Sequence, residues 1–300
     1  MANVTLKKVE LPNGETIAYR EREGGKKVFL LVHGNMSSSK HWDILIDVLD
    51  EKYKVYAIDL PGFGESTYNN KITSIRDFSE SVRQFVEVLD LKVYALMGWS
   101  LGGTVCMQYC ADYDDACEKL LLLCSGSTRG YPYFATLESG LPDLNNRLTK
   151  IDEIKKDSKW IMVQGAYDKK DKEFLKAMWN QVIYTDNQPN EEKYDEYLEE
   201  MCKQRNLSEV YQALNLFNIS HHNNSVSNGT GEVDKINVPV LVMWGDKDLV
   251  VVEQMTKEIL EDLGEKAIYK ELPGCGHSPL TDDIDLVNKT VQEFLEGVHV

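Results

Sequence analysis

Gly98-Trp99-Ser100-Leu101-Gly102-Gly103 is the stretch that decides how this chain is read. An apolar run at 93–97 leads into it, and a run of helical character at 104–113 leads away. Strand, G-x-S-x-G, helix describes a nucleophile elbow, a sharp turn that lifts a serine hydroxyl above the end of a sheet. The flanking glycines suit it, because a strained backbone and close helix–strand packing leave no room for Cβ atoms. Alone, the string also fits an ordinary glycine-rich turn. Reading Ser100 as a nucleophile requires a base, an acid and an oxyanion hole in the right order elsewhere.

Outward from the elbow, strand-like and helix-like stretches alternate. Residues 6–11 and 15–20 read as a hairpin around Pro12-Asn13-Gly14, an Asn-Gly turn signal. Residues 27–32, Lys27 followed by five apolar residues, carry the mark of a strand buried on both faces. A helix over 40–49 and a strand over 54–58 follow. Ile75, Phe78, Val82, Phe85, Val86 and Leu89 stand at helical spacing within 74–89. A strand is expected at 119–124. From 126 to 233 no strand pattern stands out, and helical periodicity shows at 174–183, 191–202 and 208–217. Alternation resumes with a strand at 240–244, a helix at 253–263, a strand at 267–272 and a helix at 284–295. Such alternation predicts an α/β fold: a mostly parallel sheet with helices on both faces. The expected organisation is a core of 1–125 and 233–300, with an inserted helical cap at 126–232.

The base candidate is His277, in Gly274-Cys275-Gly276-His277-Ser278-Pro279 just past the last strand. An imidazole on a glycine-flanked loop can swing over the sheet edge, and its ordinary pKa near 6.5 suits proton shuttling. The acid candidates, Asp246 and Asp248, follow the strand at 240–244. A carboxylate there would accept the imidazole N–H and stabilise the imidazolium. Asp248 is the favoured acid, with Asp246 as a turn residue capping backbone N–H groups. Ser100, Asp248 and His277 then fall in the chain order nucleophile, acid, base, each at a strand's C-terminal end, where open parallel sheets bind ligands. The oxyanion hole is expected from the backbone N–H of Leu101 and that of Asn35, in the loop His33-Gly34-Asn35-Met36-Ser37-Ser38-Ser39. The serines of that loop also read as caps for the helix near Lys40.

The other histidines compete poorly. His33 ends a buried strand and suits packing or hydrogen bonding, and His41 opens a helix. His221 and His222 sit in a polar linker, and His299 is at the chain end. Asp59-Leu60-Pro61-Gly62-Phe63-Gly64-Glu65-Ser66 is a tight glycine loop without the G-x-x-x-x-G-K-[ST] phosphate string, so a structural role is expected.

Composition sets bounds. Three hundred residues at 42% hydrophobic can bury a sizeable core. A net charge of −16 argues against nucleic acid and anionic membrane surfaces as partners. The N-terminus lacks the apolar region of a signal peptide, and no apolar run reaches the length of a transmembrane segment, so a cytoplasmic location is expected. The six cysteines, at 106, 110, 117, 124, 202 and 275, show no metal-type spacing and read as reduced thiols. Nothing in the sequence sets an oligomeric state.

With these pieces assembled, the chain resembles the α/β-hydrolase superfamily over its whole length. The match is carried by residues 33–35, 59–66, 98–103, 245–248 and 274–279. More finely, it resembles bacterial intracellular poly(3-hydroxybutyrate) depolymerases with a Gly-Trp-Ser-x-Gly elbow. It also resembles α/β-hydrolase N-acyl-homoserine lactonases, in which the acid position can be glutamate, whereas Asp248 stands here. The resemblance implies a serine hydrolase that cleaves carboxylic esters through an acyl-enzyme, with no metal or organic cofactor. The substrate would be a small ester or a polyester, cleaved by a depolymerase or a short/medium-chain carboxylesterase; the alternative is a lactonase. A rival of another class is a small-molecule receptor or signalling protein on the same scaffold. The cap is expected to supply the pocket. Candidates are Trp99, Met36, Tyr131, Trp160 and Trp179, with Tyr133, Phe134, Tyr184 and Phe217, although aromatics at helical spacing commonly serve as core.

Overall fold

A computed structural model of the chain describes residues 3–298; His299 lies outside them. β1 (Val4–Glu10) and β2 (Thr16–Arg22) form the expected hairpin, with Gly14 at φ +85° in its turn. β3 (Lys27–Val32) follows, then a 3-10 turn (Ser39–Trp42) running into α1 (Asp43–Val48). Next come β4 (Tyr53–Ile58), α2 (Ile75–Val88), β5 (Val93–Trp99), α3 (Leu101–Asp112) and β6 (Lys119–Leu123). A capping box starts α2: Ser74 and Asp77 satisfy each other's backbone N–H groups.

After β6 the chain leaves the sheet. It forms β7 (Phe134–Thr136), β8 (Pro142–Arg147), α4 (Ile151–Ile154), α5 (Ser158–Lys169), α6 (Lys172–Val182), α7 (Glu191–Met201) and α8 (Leu207–Leu216). It returns as β9 (Val240–Gly245), α9 (Glu253–Leu263), β10 (Ala267–Leu272), α10 (Pro279–Asp282) and α11 (Ile284–Glu296).

The main sheet has eight strands in the order β1-β2-β4-β3-β5-β6-β9-β10. Only β2 runs against its neighbours; the remaining pairs are parallel. Phe29, Leu30, Leu31 and Val32 of β3 are fully buried. Their alternation divides the core into two layers. Leu30 and Val32 face the side holding Phe78, Val82 and Phe85 of α2 and Val105 of α3. Phe29 and Leu31 face the side holding Leu45 and Ile46 of α1 and Val287 and Val291 of α11. Each such side chain contributes about 1.5–3 kcal/mol by leaving water.

Several elements of the stretch 126–233 differ from the sequence reading. The stretch 126–233 does contain strands: β7 and β8 pair antiparallel around Gly140 at φ +83°. β8 reads Pro-Asp-Leu-Asn-Asn-Arg, poor in β-branched and aromatic residues, so pairing rather than propensity makes it a strand. α5 was also not expected. Its apolar residues 160–163 are consecutive rather than spaced by three or four, which hides the helical period.

All six cysteines are free thiols; Cys110 and Cys117 touch through their sulfurs at 3.7 Å. Among the described residues, no helix is long and apolar enough to cross a membrane.

Candidate active site

The elbow joins β5 to α3 with Ser100 at φ +55°, ψ −116°, a conformation that L residues rarely hold unless the surroundings impose it. The close approach of helix and strand explains its glycines. A Cβ on Gly98 would lie 2.3 Å from the Gly102 carbonyl oxygen, and one on Gly102 would lie 2.1 Å from the Val32 carbonyl oxygen.

Three strand ends meet at one edge. Ser100 follows β5, Asp248 lies in the turn after β9, and His277 in the loop after β10. His277 Nδ1 stands 2.8 Å from Asp248 Oδ2, and its Nε2 stands 3.1 Å from Ser100 Oγ. The second carboxylate oxygen, Oδ1, accepts from the N–H groups of Val250 and Val251 at 2.8 and 2.9 Å. An ionised carboxylate only accepts, so Nδ1 carries the imidazole proton and Nε2 is left to accept from the serine. The Asp248 side chain is fully buried and that of His277 nearly so. Low local dielectric strengthens every bond in this chain.

Asp246 goes elsewhere: its Oδ1 accepts the Gly274 N–H at 2.7 Å on the exposed side of the His277 loop. Asp282 holds the same loop from beneath, accepting the Gly276 N–H at 2.8 Å; burial raises its carboxyl pKa.

The 33–36 loop packs onto the elbow. A Cβ on Gly34 would lie 3.2 Å from the Ser100 Cβ. The Gly34 carbonyl accepts from His33 Nδ1 at 2.7 Å and from Ser37 Oγ at 2.8 Å. His33 Nε2 accepts from the Leu60 N–H at 3.1 Å, so Nδ1 bears the proton. Burial lowers the His33 pKa and keeps the ring neutral, as this bonding needs. A peptide unit is planar and trans, so fixing the Gly34 carbonyl also fixes the Asn35 N–H on the opposite side. Among the described residues, neither the Asn35 nor the Leu101 amide N–H makes a hydrogen bond. Ser38 caps the 3-10 turn, accepting from the Lys40 N–H at 3.1 Å, and His41 Nδ1 accepts the Ser38 N–H in return.

The remaining sequence candidates fall into different places. Trp99 is buried and spends its indole N–H on the His277 carbonyl at 2.8 Å. Trp179 is buried against it, with ring centroids 6.4 Å apart, and packs on Tyr184 at 5.2 Å. Tyr133 and Phe217 are buried, and Phe134 lies half-buried in β7. Tyr131 is half-buried with its hydroxyl on the Val250 carbonyl at 3.2 Å; burial, then the Asp248 charge, pushes its pKa up to about 12. Trp160 is half-buried with an unpartnered indole N–H. Met36 is buried at φ +58°. A cleft of about 530 Å³ is lined by residues 64–69, Lys203 and Arg205, and none of the Ser100, Asp248, His277 group borders it.

Two residues at the site were not singled out for it from sequence. His41 is buried among Tyr197, Trp179 and Trp99, stacked on Tyr197 at 4.3 Å, with its Nε2 unpartnered. Gln204 reaches from the α7–α8 connection to the Met36 N–H, 168 residues away, and no motif marks it. Cys124 offers a third feature: its sulfur and the ligand atoms of Asp248 and His277 lie within 4.8 Å of one another. Asp248 and His277 already bond each other there, and burial pushes the Cys124 thiol up, away from the thiolate a metal needs.

The model of the alpha/beta hydrolase fold family matches residues 27–283. The uncharacterized hydrolase YugF of Bacillus subtilis is 23% identical over 288 residues, covering 95% of this chain and 96% of that protein. A 2-hydroxy-6-oxononadienedioate/2-hydroxy-6-oxononatrienedioate hydrolase of Pseudomonas is 22% identical over 297 residues, covering 96% and 95%. Among solved structures, an esterase from Exiguobacterium antarcticum superposes with a TM-score of 0.73 at 16% identity, covering 97% of this chain and all of that one. That likeness is one of fold. With the family match spanning most of the chain, the protein belongs to the alpha/beta hydrolase fold family.

Proposed function

We propose that this protein hydrolyses carboxylic esters through an acyl-enzyme on Ser100. The observation that carries the reading is the unbroken chain Asp248 Oδ2, His277 Nδ1, His277 Nε2, Ser100 Oγ at 2.8 and 3.1 Å. His277 takes the Ser100 proton as the oxygen attacks the acyl carbon. The N–H groups of Leu101 and Asn35 receive the oxyanion. His277 then gives its proton to the leaving alkoxide. Water, deprotonated by His277, attacks the acyl-enzyme and releases the acid and free Ser100. Asp248 stabilises the imidazolium at each stage. No step calls for a metal or an organic cofactor.

Residues 126–232 act as a cap in this reading, and 1–125 with 233–300 as the core. The insertion leaves from β6 and returns at β9, two neighbouring strands of the sheet, which supports the division. Tyr131, Trp160 and Met36 would line the pocket, with Trp99 and Trp179 behind them.

For the substrate, we favour a water-insoluble polyester of the poly(3-hydroxybutyrate) type or a short- to medium-chain ester. Leu137, Leu141 and Leu144 in and beside β7–β8, with Ile161 and Met162 on α5, are 46–70% exposed. Apolar side chains in such number on one inserted segment suit contact with an apolar surface. An acyl-homoserine lactone and a receptor role are the competing readings.

One experiment separates them. Ser100→Ala should abolish turnover of a p-nitrophenyl ester, and undiminished turnover refutes the mechanism. Wild-type protein given amorphous poly(3-hydroxybutyrate), acyl-homoserine lactones and an ester chain-length series identifies the class by turnover per mole. A single slow turnover on all of them favours the receptor.

A further inference from the structure

We infer that Gln204 is a positioning residue through which the inserted segment holds the oxyanion loop in working geometry. The inference rests on the reading of Asn35 and Leu101 as oxyanion donors. Gln204 is 7% exposed and uses both ends of its carboxamide. Oε1 accepts the Met36 N–H at 3.1 Å and the Tyr167 hydroxyl at 3.4 Å. Nε2 donates to Asn35 Oδ1 at 2.8 Å and to Asn206 Oδ1 at 3.1 Å.

These bonds fall on a part of the loop beyond the Gly34 carbonyl that His33 and Ser37 hold. His33 and Ser37 fix the Gly34–Asn35 peptide through its carbonyl. The next peptide, Asn35–Met36, is held through its N–H by Gln204, which also holds the Asn35 side chain. Met36 sits at φ +58°, where a non-glycine residue costs on the order of 1 kcal/mol and persists only under constraint. Released from Gln204, Met36 can relax toward negative φ. The rotation would pull Asn35 against the hold that His33 and Ser37 keep on the Gly34 carbonyl, and tilt its N–H from the line to the serine.

Gln204 is itself rigidly mounted. The Arg205 N–H donates to the Gly62 carbonyl at 2.9 Å, and Asn206 Nδ2 donates to the Pro61 carbonyl at 2.8 Å. Gly62, at φ +83°, has no space for a side chain, since a Cβ would lie 2.4 Å from Asn206 Nδ2. The glycine loop at 59–66 thus anchors the connection that carries Gln204 to the site.

The test is kinetic. Gln204→Met matches the side chain in length and removes every polar contact. Gln204→Glu keeps an acceptor for the Met36 N–H and loses the donor to Asn35. An oxyanion-hole donor is worth about 10²–10³ in turnover, so a misaligned one should cost Gln204→Met about 10–10² in kcat. KM on a p-nitrophenyl ester should stay within about twofold, because the interaction acts in the transition state. Affinity for an alkyl trifluoromethyl ketone, which adds to serine as an oxyanion, should fall by the same factor as kcat. Gln204→Glu should lie between the two.

Wild-type kcat and ketone affinity in Gln204→Met, beside an inactive Ser100→Ala, overturn the positioning role alone. Losses in Gln204→Met or Gln204→Glu that appear in KM and not in ketone affinity also overturn it. Should Gln204→Met fail to fold, Gln204→Glu decides the matter by the same two readouts. Undiminished turnover in Ser100→Ala removes the underlying reading instead.

Discussion

The indole N–H of Trp99 donates to the backbone carbonyl of His277 at 2.8 Å, joining the elbow to the loop of the proposed base across 178 residues. Both groups are buried. Trp99→Phe keeps the apolar packing and leaves that carbonyl unpaired, a cost of about 1–3 kcal/mol. The imidazole then loses one of its supports. Steady-state turnover is expected to fall by about 10–10², the scale set by small misplacements of reacting groups. Urea denaturation and ester kinetics on the same preparation check both parts.

Asp246 and Asp248 are two residues apart and should respond very differently to loss of charge. Asp248→Asn preserves shape but offers His277 an N–H or a neutral oxygen, favouring the wrong tautomer. Turnover should drop by about 10⁴. Asp246→Asn keeps an oxygen for the Gly274 N–H, and its turnover should stay close to wild type. Equal losses in the two variants would assign the acid wrongly.

Gly34→Ala tests how closely the 33–36 loop is fitted to the serine. The new methyl would lie 3.2 Å from the Ser100 Cβ and 3.4 Å from the Trp99 ring. Overpacking of this kind costs about 1–3 kcal/mol. The displacement falls on the proposed nucleophile, so activity is expected to drop further than thermal stability does. Turnover and Tm measured together show whether it does.

Glu21 is expected to shape the acid limb of stability. Its side chain is 5% exposed and pairs with Lys7 at 2.7 Å and Lys54 at 2.9 Å. Burial alone would raise its pKa, but the bonds to Lys7 and Lys54 prevail and lower it from 4.5. A lowered folded-state pKa gives stability that is complete above the unfolded value and lost as pH falls through the folded one. Glu21→Gln should therefore be less stable than wild type near neutrality, and the gap should close as pH falls below 4.5. Urea midpoints across that range measure it.

Much of the site was legible because its signals are local. A serine between glycines after an apolar run, and an aspartate and a histidine in turns after two later runs, each combine one chemistry with one backbone demand. The core strands were legible for the same reason, since a run such as 27–32 has no other stable placement than between two helical layers. The β7–β8 pair is not legible in the sequence because a short, polar, proline-started strand exists only through its partner. Asp246 and Asp248 both lie in the turn after β9 and remained open to either role until the geometry separated them.

The sequence by itself determined the fold class, the order of the three candidate catalytic residues and the two amides expected to face the oxyanion. Periodicity and turn chemistry act over a few residues, and that range suffices for these features. Only the tertiary structure decided that Asp248 rather than Asp246 meets His277, that Trp99 braces the histidine loop, and that Gln204 grips the 33–36 loop from the inserted segment. Those bonds span 29, 178 and 168 residues. A hydrogen bond at such separation needs no pattern in the intervening chain, only the meeting of a donor and an acceptor once the sheet and its insertion have packed.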